Sequence, residues 1–370
     1  DVKTYLLKSL EEVYKENNPE FIYFVTLYNI FKDYLNDLSE EDIIKTKTGF
    51  KESVVWNKLY NFQKDGVLGA IDKLEKYHGC ILADSVGLGK TFEALAVIKY
   101  YESRNSRVLV LCPKKLRENW LTYKGNRRDN ILERDRLNYD VLNHTDLSRY
   151  SGYSGEINLE KIYWENYDLI VIDESHNFRN NNNKRDDKET RYSRLLNQII
   201  KKGVKTKVLM LSATPVNNRM TDLKNQIAFA TEGNEFALAD YGIKSIDQTL
   251  RKAQLVFNKW NELPEERKNL ETLLEMLETD YFKLLDMLTI ARSRKHIQKY
   301  YDTTHIGKFP ERLKPINIKN DIDTQNDFID LDELNKLIRA LNLAIYSPMK
   351  YILPSKIAEY SKKYDTKTGK

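Results

Sequence analysis

The sequence predicts an α/β fold, a doubly wound parallel sheet carrying a phosphate-binding loop, with a helical segment before it and a helical extension after it. Three observations predict it. The short apolar runs Cys80–Ala83, Val108–Cys112, Leu169–Ile172 and Val208–Leu211 lack polar alternation, as strands covered on both faces do. Helical stretches separate these runs, which is the pattern of repeated βα units with ligands at the carboxyl ends of the strands. The first run leads directly into Asp84-Ser85-Val86-Gly87-Leu88-Gly89-Lys90-Thr91 and then a helical pattern, the strand–loop–helix context that a phosphate loop requires.

Residues 1–55 read as a helical segment, with Phe24, Leu27, Tyr28, Phe31 and Leu35 on one apolar stripe. The α/β pattern occupies 56–233. Residues 234–300 form a polar, helical extension, in which Leu270, Leu273, Leu274, Leu277, Tyr281, Leu284, Leu285 and Leu288 share one face of an amphipathic helix. Residues 301–330, with Gly307, Pro310 and Pro315 among many charges, read as a linker, and 331–370 return to helical patterning. Asn180–Asn183 is the single low-complexity patch, in an expected loop.

Composition sets the class. With 370 residues, 41% hydrophobic and 31% charged, the chain reads as a soluble protein of two or three domains. A net charge of +5 permits a polyanionic partner without demanding one. No apolar run approaches a membrane span, so no membrane partner is expected. Cys80 and Cys112 sit in or beside predicted buried strands and are too few for a disulfide framework or zinc site, which favours a reducing, cytoplasmic location. The start, Asp1-Val2-Lys3, has neither an initiating Met nor an apolar signal segment and reads as part of a longer chain.

Chemistry follows from two segments. In the loop, Gly87 and Gly89 let the backbone N–H groups of Val86 to Gly89 wrap phosphate oxygens. Lys90 adds a positive charge at the β and γ phosphates, and the Thr91 hydroxyl can ligate Mg²⁺. Asp84 stands where the common pattern has its first glycine. The second segment, Tyr167 to His176, delivers Asp173 and Glu174 at the end of an apolar strand. Asp173 is suited to hold hydrated Mg²⁺, Glu174 to orient or deprotonate a water, and His176 to sense the γ phosphate. At the end of the next strand, Ser212, Ala213 and Thr214 are placed to couple to the carboxylates. ATP and Mg²⁺ are the expected ligands.

The order of Gln63, Asp84–Thr91, Cys112-Pro113-Lys114-Lys115-Leu116, Asp173-Glu174-Ser175-His176 and Ser212-Ala213-Thr214-Pro215 resembles that of superfamily 2 helicases. The loop, the stretch from Cys112 to Trp120, and Ala291-Arg292-Ser293-Arg294-Lys295 look most like the Swi/Snf-type DNA translocases, over about residues 59–312. Ser175 replaces the commoner Ala. The resemblance implies a RecA-like lobe of an ATP hydrolase that moves on nucleic acid, DNA favoured over RNA. It gives Gln63 the adenine, although spacing alone also allows a surface glutamine at a helix start. Lys114 and Lys115 would meet backbone phosphates, and Asn143, His144 and Thr145 would form a further backbone-contacting loop or an ordinary polar one. Arg292 and Arg294 would line the cleft between lobes or simply end a basic helix. Such motors pair two RecA-like lobes, and the 55 residues after Pro315 are too few for a second, so 331–370 is expected to be only the start of a truncated second lobe. The alternatives are an RNA-directed helicase of the same superfamily and a nucleotide-gated binding module without turnover.

Overall fold

The computed structural model describes residues 49–179, 189–213, 220–264 and 267–302, together with 333, 337, 352–357, 359 and 360. The expected stripe in 1–48, the asparagine patch and Thr214 lie outside these residues, as does most of the expected linker and of 331–370. The chain divides into a large unit, Asp1–Phe309, and a small one, Pro310–Lys370. In the small unit the described residues include one short 3₁₀ turn, Pro354–Lys356.

The large unit begins with α1 (Val54–Lys58), capped by the Ser53 hydroxyl. The Asp135 carboxylate accepts from the Val54 and Val55 N–H groups, both at 2.7 Å, placing a negative charge on the positive end of the helix. Helix α2 (Asn61–Tyr77) starts with the Gln63 side chain accepting from the Tyr60 N–H at 3.0 Å, and ends where His78 turns left-handed at φ 61°. Strand β1 (Gly79–Leu82) then leads through the glycine loop into α3 (Lys90–Glu102). There follow β2 (Val108–Cys112), α4 (Arg117–Lys124) and β3 (Asp140–Asn143). A small antiparallel hairpin of β4 (Tyr153–Ser154) and β5 (Ile157–Asn158) precedes β6 (Leu169–Asp173). The short α5 (Arg191–Arg194) runs into a π-helical turn, Leu195–Ile200, and then comes β7 (Lys207–Leu211).

The six main strands pair in the order β3-β2-β6-β7-β1-β8, all parallel, where β8 is Thr289–Ile290. This is the doubly wound sheet the sequence predicts. Along β1, Cys80 and Leu82 pack into one apolar cluster with Leu95, Val110, Val171 and Leu209. Ile81 and Ala83 join another with Leu109, Ile170, Val208 and Met210. Successive strand residues point to opposite faces, and both faces are covered, so both registers must be apolar.

Helix α6 (Met220–Ala230) follows β7 within 56–233, and the extension consists of α7 (Ile246–Asn261), α8 (Leu270–Met276), α9 (Thr279–Leu288) and α10 (Arg294–Tyr300), the last following β8. The single amphipathic helix expected over 270–288 is two helices. Leu277 leaves α8 with ψ 136°, and Glu278, also extended, begins α9 with Asp280 in its first turn. The apolar face survives the break, because Leu273, Leu277, Tyr281, Leu284, Leu285 and Leu288 are all buried in the same cluster. A helical period marks which face is buried but does not reveal an interruption that keeps that face in phase.

Candidate nucleotide site

The site lies at the carboxyl ends of β1, β7 and β6, which are neighbours in the sheet although their sequence order is β1, β6, β7. Two loops meet there. In the first, Gly87 and Gly89 adopt φ 82° and 86°, a left-handed backbone that other residues rarely take. A Cβ on Gly89 would also overlap the Gln63 amide. Leu88 is buried against Phe62 and Ile297, so the apolar side chain between the glycines pins the loop from below, while Val86 is exposed at its tip. Lys90, the first residue of α3, donates from Nζ to the Asp84 carbonyl at 2.7 Å. Burial pulls its pKa down, against the opposing influence of Asp84, Glu174, Glu93 and Asp173. A phosphate arriving at the loop would take over the role of that carbonyl. Thr91 lies beside Lys90 at the helix start and is half-buried.

In the second loop, Asp173 ends β6 with both carboxylate oxygens engaged. Oδ2 accepts from the Trp120 indole Nε1 at 2.9 Å, and Oδ1 accepts from the Glu174 N–H at 2.9 Å. Burial raises the Asp173 pKa, partly offset by the indole hydrogen bond. Glu174 is left-handed at φ 51°, unusual for a residue with a side chain. Its Oε2 lies 3.2 Å from His176 Nδ1, and that neighbour lowers the Glu174 pKa. The contact is close enough for an ion pair when the ring is protonated, though not aligned as a hydrogen bond. Ser175, in place of the commoner Ala, donates its buried hydroxyl to Gln226 Oε1 of α6 at 2.8 Å. Ser212, at the end of β7, is buried and donates its backbone N–H to Leu82 at 3.2 Å, while Ala213 is half-buried beside it.

A Mg²⁺ ion bound with nucleotide takes most of its ligands from phosphate and water and needs only one or two protein oxygens. The Thr91 hydroxyl and the Asp173 carboxylate supply oxygens of that kind. Each Asp173 oxygen accepts one hydrogen bond and keeps a lone pair, so the donor set fits such an ion. Gln63 is buried, and its Nε2 donates to the Leu88 carbonyl at 2.9 Å, fixing the amide against the phosphate loop. Beside it opens a largely apolar cavity of about 390 Å³ bounded by Tyr60, Gln63, Gly87, Phe92 and Ile131, among others. Tyr60, Phe92 and Ile131 were not legible as site residues, because nothing in their spacing separates them from ordinary packing residues.

The arginines occupy unexpected places. Arg292 is 5% exposed and bonded to Asp84 and Glu93, so it does not line a cleft. Asp84, at the position of the expected first glycine, is there as its partner. Burial works against the Arg292 charge, but the two carboxylates more than offset it and hold its pKa above the usual value. Burial raises the Glu93 pKa, against the pull of the guanidinium. Arg294 donates to the Val86 carbonyl at 3.1 Å.

Among the expected nucleic-acid contacts, Lys114 and Lys115 are exposed at the carboxyl end of β2. His144 requires a correction. It is 4% exposed, with its ring edge-on to Phe178 and Nε2 3.3 Å from the Leu111 carbonyl, so its side chain offers no surface to a phosphate. Burial lowers its pKa to about 4, which keeps it neutral. The cause is local: Asn143 and Asp146 bond to each other around the turn and direct the intervening ring inward, leaving Thr145 exposed.

Residues 51–278 match the SNF2-related domain, and this span is more than half of the chain. The chain belongs to the SNF2-related family. Its RecA-like α/β sheet is the one that the family resemblance implies. The DNA annealing helicase and endonuclease ZRANB3 of Mus musculus is 28% identical over 194 residues, which are 49% of this chain and 17% of that protein. The uncharacterized ATP-dependent helicase YqhH of Bacillus subtilis (strain 168) is 28% identical over 173 residues, 44% of this chain and 28% of that protein. Among solved structures, the Sulfolobus solfataricus SWI2/SNF2 ATPase core in complex with dsDNA aligns with a TM-score of 0.39 and 20% identity, covering 64% of this chain and 45% of that one. The chain thus covers only 17% and 28% of the lengths of these two curated relatives. Among its described residues no helix is long and apolar enough to cross a membrane.

Proposed function

We propose that this chain is the ATP-binding lobe of a DNA-dependent ATPase that converts ATP hydrolysis into movement along nucleic acid. The observation that carries the reading is the meeting of a lysine-bearing phosphate loop after β1 with an adjacent Asp–Glu pair after β6, one strand apart in a parallel sheet. The family match, and relatives whose names describe helicases, support it.

In this reading the loop N–H groups and Lys90 bind the β and γ phosphates and neutralise charge that builds up as the γ-phosphoryl leaves. Mg²⁺, when bound, would supply further positive charge to offset the charge that builds up on the phosphates. Thr91 and Asp173 are the side chains that would hold it, with Trp120 fixing the Asp173 carboxylate. Glu174 orients the attacking water and accepts its proton, a role that suits a carboxylate kept ionised beside His176. The base sits in the cavity beside Gln63, whose amide is already held by Tyr60 and Leu88 and retains one donor and one acceptor position for adenine. Ser212, Ala213 and Thr214 carry changes at the carboxylates to the neighbouring strand. A second lobe completes the motor, supplying the arginine that such reactions use, an effect worth ~10³–10⁵ in rate. The lobe described here therefore hydrolyses ATP slowly alone. Lys114 and Lys115 contact the phosphates of the tracked strand.

Duplex DNA binding tests the nucleic-acid half of this proposal. A log–log plot of affinity against salt should be steep, and the Lys114→Ala/Lys115→Ala variant should lose about one unit of slope per removed phosphate contact. RNA competing as well as DNA of the same sequence would argue for the RNA-directed alternative. Rapid DNA-stimulated turnover by this chain alone would contradict the need for a second lobe.

A further inference from the structure

We propose that Arg292 is a positioning residue for the phosphate loop: one buried guanidinium ties the two flanks of the loop together and couples them to helix α10. The inference rests on the nucleotide reading above.

The contacts fall on both sides of the loop. On the entry side, Arg292 Nε donates to Asp84 Oδ1 and Oδ2 at 3.1 and 3.0 Å, Nη2 donates to Oδ2, and the Arg292 backbone N–H donates to Oδ1 at 2.9 Å. On the exit side, the same Nη2 donates to Glu93, on the first turn of α3. The backbone continues the attachment, since Ser85 N–H donates to the Arg292 carbonyl at 3.0 Å and Ala83 N–H to Ile290 at 2.6 Å. Two residues later, Arg294 holds the loop tip through the Val86 carbonyl. Residues 292 and 294 thus fix the loop on both sides of the glycines, at 84 and 86 before them and at 93 after them.

The fold makes room for this arrangement. A Cβ on Gly66 of α2 would overlap the Arg292 guanidinium, and one turn on, a Cβ on Gly69 would sit 3.1 Å from the Ile290 side chain. Two glycines on one helical face therefore open a window through which the β8–α10 segment reaches the loop. The Phe62 ring lies 5.3 Å from the guanidinium carbon and closes the window from the side. Past the window, Ile297 of α10 packs on Leu88 of the loop and on Phe62.

Stability alone is a poor reason for this cluster. Two carboxylates and one guanidinium are fully desolvated, and Arg292 Nη1 and Glu93 Oε2 find no hydrogen-bond partner among the described residues. Apolar side chains of similar volume would pack there without that cost. What the ionic cluster supplies is geometry: a planar fork that reaches two carboxylates at once, which lysine cannot reproduce. The loop is then held with its N–H groups ready for phosphate before ligand arrives. A change in the loop on nucleotide binding is carried to α10, the last helix among the described residues of this unit.

The test uses the full chain with Mg·ATP and Mg·ADP, and the variants Arg292→Lys, Gly66→Ala and Lys90→Ala. Calorimetry below each melting transition should show Mg·ATP binding about 10- to 100-fold weaker in Arg292→Lys and Gly66→Ala, the range typical when a supporting partner is removed. Hydrogen exchange at saturating Mg·ADP should slow at 294–300 in the unaltered chain, and this slowing should vanish in Arg292→Lys. A purely structural cluster would lower the melting temperature and leave both readouts unchanged. If Arg292→Lys does not fold, Gly66→Ala carries the test alone, because alanine favours the helix and its methyl displaces the guanidinium. Binding that Lys90→Ala abolishes but Arg292→Lys and Gly66→Ala leave intact overturns the positioning role only. No binding by the unaltered chain overturns the nucleotide reading, and the positioning role with it.

Discussion

The phosphate loop and the carboxylate turn face each other across the site but are held in opposite ways. The loop owes its shape to two glycines at positive φ and its position to Arg292, 208 residues away in sequence. The carboxylate turn has no glycine. Its left-handed residue is Glu174 itself, and its supports are the Trp120 indole on Asp173 and the Gln226 amide on Ser175. A loop that must surround an anion needs freedom from side chains and then an external clamp. A turn that must aim a carboxylate can carry the strain in the functional residue, provided its neighbours are fixed. Damage to the loop should therefore register in binding, and damage to the turn in turnover or metal response.

The largest effect expected on the carboxylate side is that of Glu174→Gln. Single-turnover measurements should show the residual hydrolysis falling by ~10²–10⁴, the range for loss of a general base, with Mg·ATP affinity unchanged. Equal turnover in the variant would assign the role elsewhere. Trp120→Phe keeps an aromatic, though smaller, ring and deletes the indole donor to Asp173. Titration of Mg²⁺ against ATP turnover should show its half-maximal concentration rising by about 10–100-fold, and no shift would mean that the indole serves packing alone.

A pH measurement probes the clamp on the loop side. His296, in α10, is 3% exposed, and burial together with the nearby Arg292 charge lowers its pKa to about 4, with Lys299 acting the same way and Asp84 opposing. The folded chain therefore refuses a proton that the unfolded chain accepts below about 6.5. Its contribution to stability is fully present above pH 6.5 and is lost as pH falls towards 4, with a slope approaching about 1.4 kcal/mol per pH unit. Denaturant melts of the chain and of His296→Gln should converge in slope above pH 6.5 and diverge below it. Parallel curves would remove His296 from the account. The smallest effect is expected from Ser175→Ala, which costs about 1 kcal/mol by removing the hydroxyl donor to Gln226 Oε1 and leaves ATP affinity unchanged. A loss of affinity there would mean that the turn and the loop are less separate than their supports imply.

Legibility in the sequence followed range. The strands and the glycine loop were readable because a doubly covered strand and a left-handed backbone each restrict residue type locally. The carboxylates were readable because Leu169 to Ile172 marks where Asp173 must emerge. The clamp was not: Asp84 looked like a departure from a pattern, and its reason is an arginine on a distant strand end. Trp120 stood within a stretch that resembled the family, but its hydrogen bond to Asp173, 53 residues on, leaves no local signature. His144 sat at the right strand end for a nucleic-acid contact, and only the Asn143–Asp146 turn decides that its ring points inward. The Gly66–Gly69 pair was the one available hint, since two glycines inside a helix need a reason such as close approach.

The central claim is that Lys90 and the glycine loop bind the phosphates of ATP. Calorimetric titration of the chain and of Lys90→Ala with Mg·ATP tests it most directly. The account predicts one site per chain, weakened by roughly 2–5 kcal/mol when the lysine is removed, since truncating one partner of a charge pair costs about that much. Equal affinity in the two proteins would contradict it, because no phosphate could then be resting on Lys90.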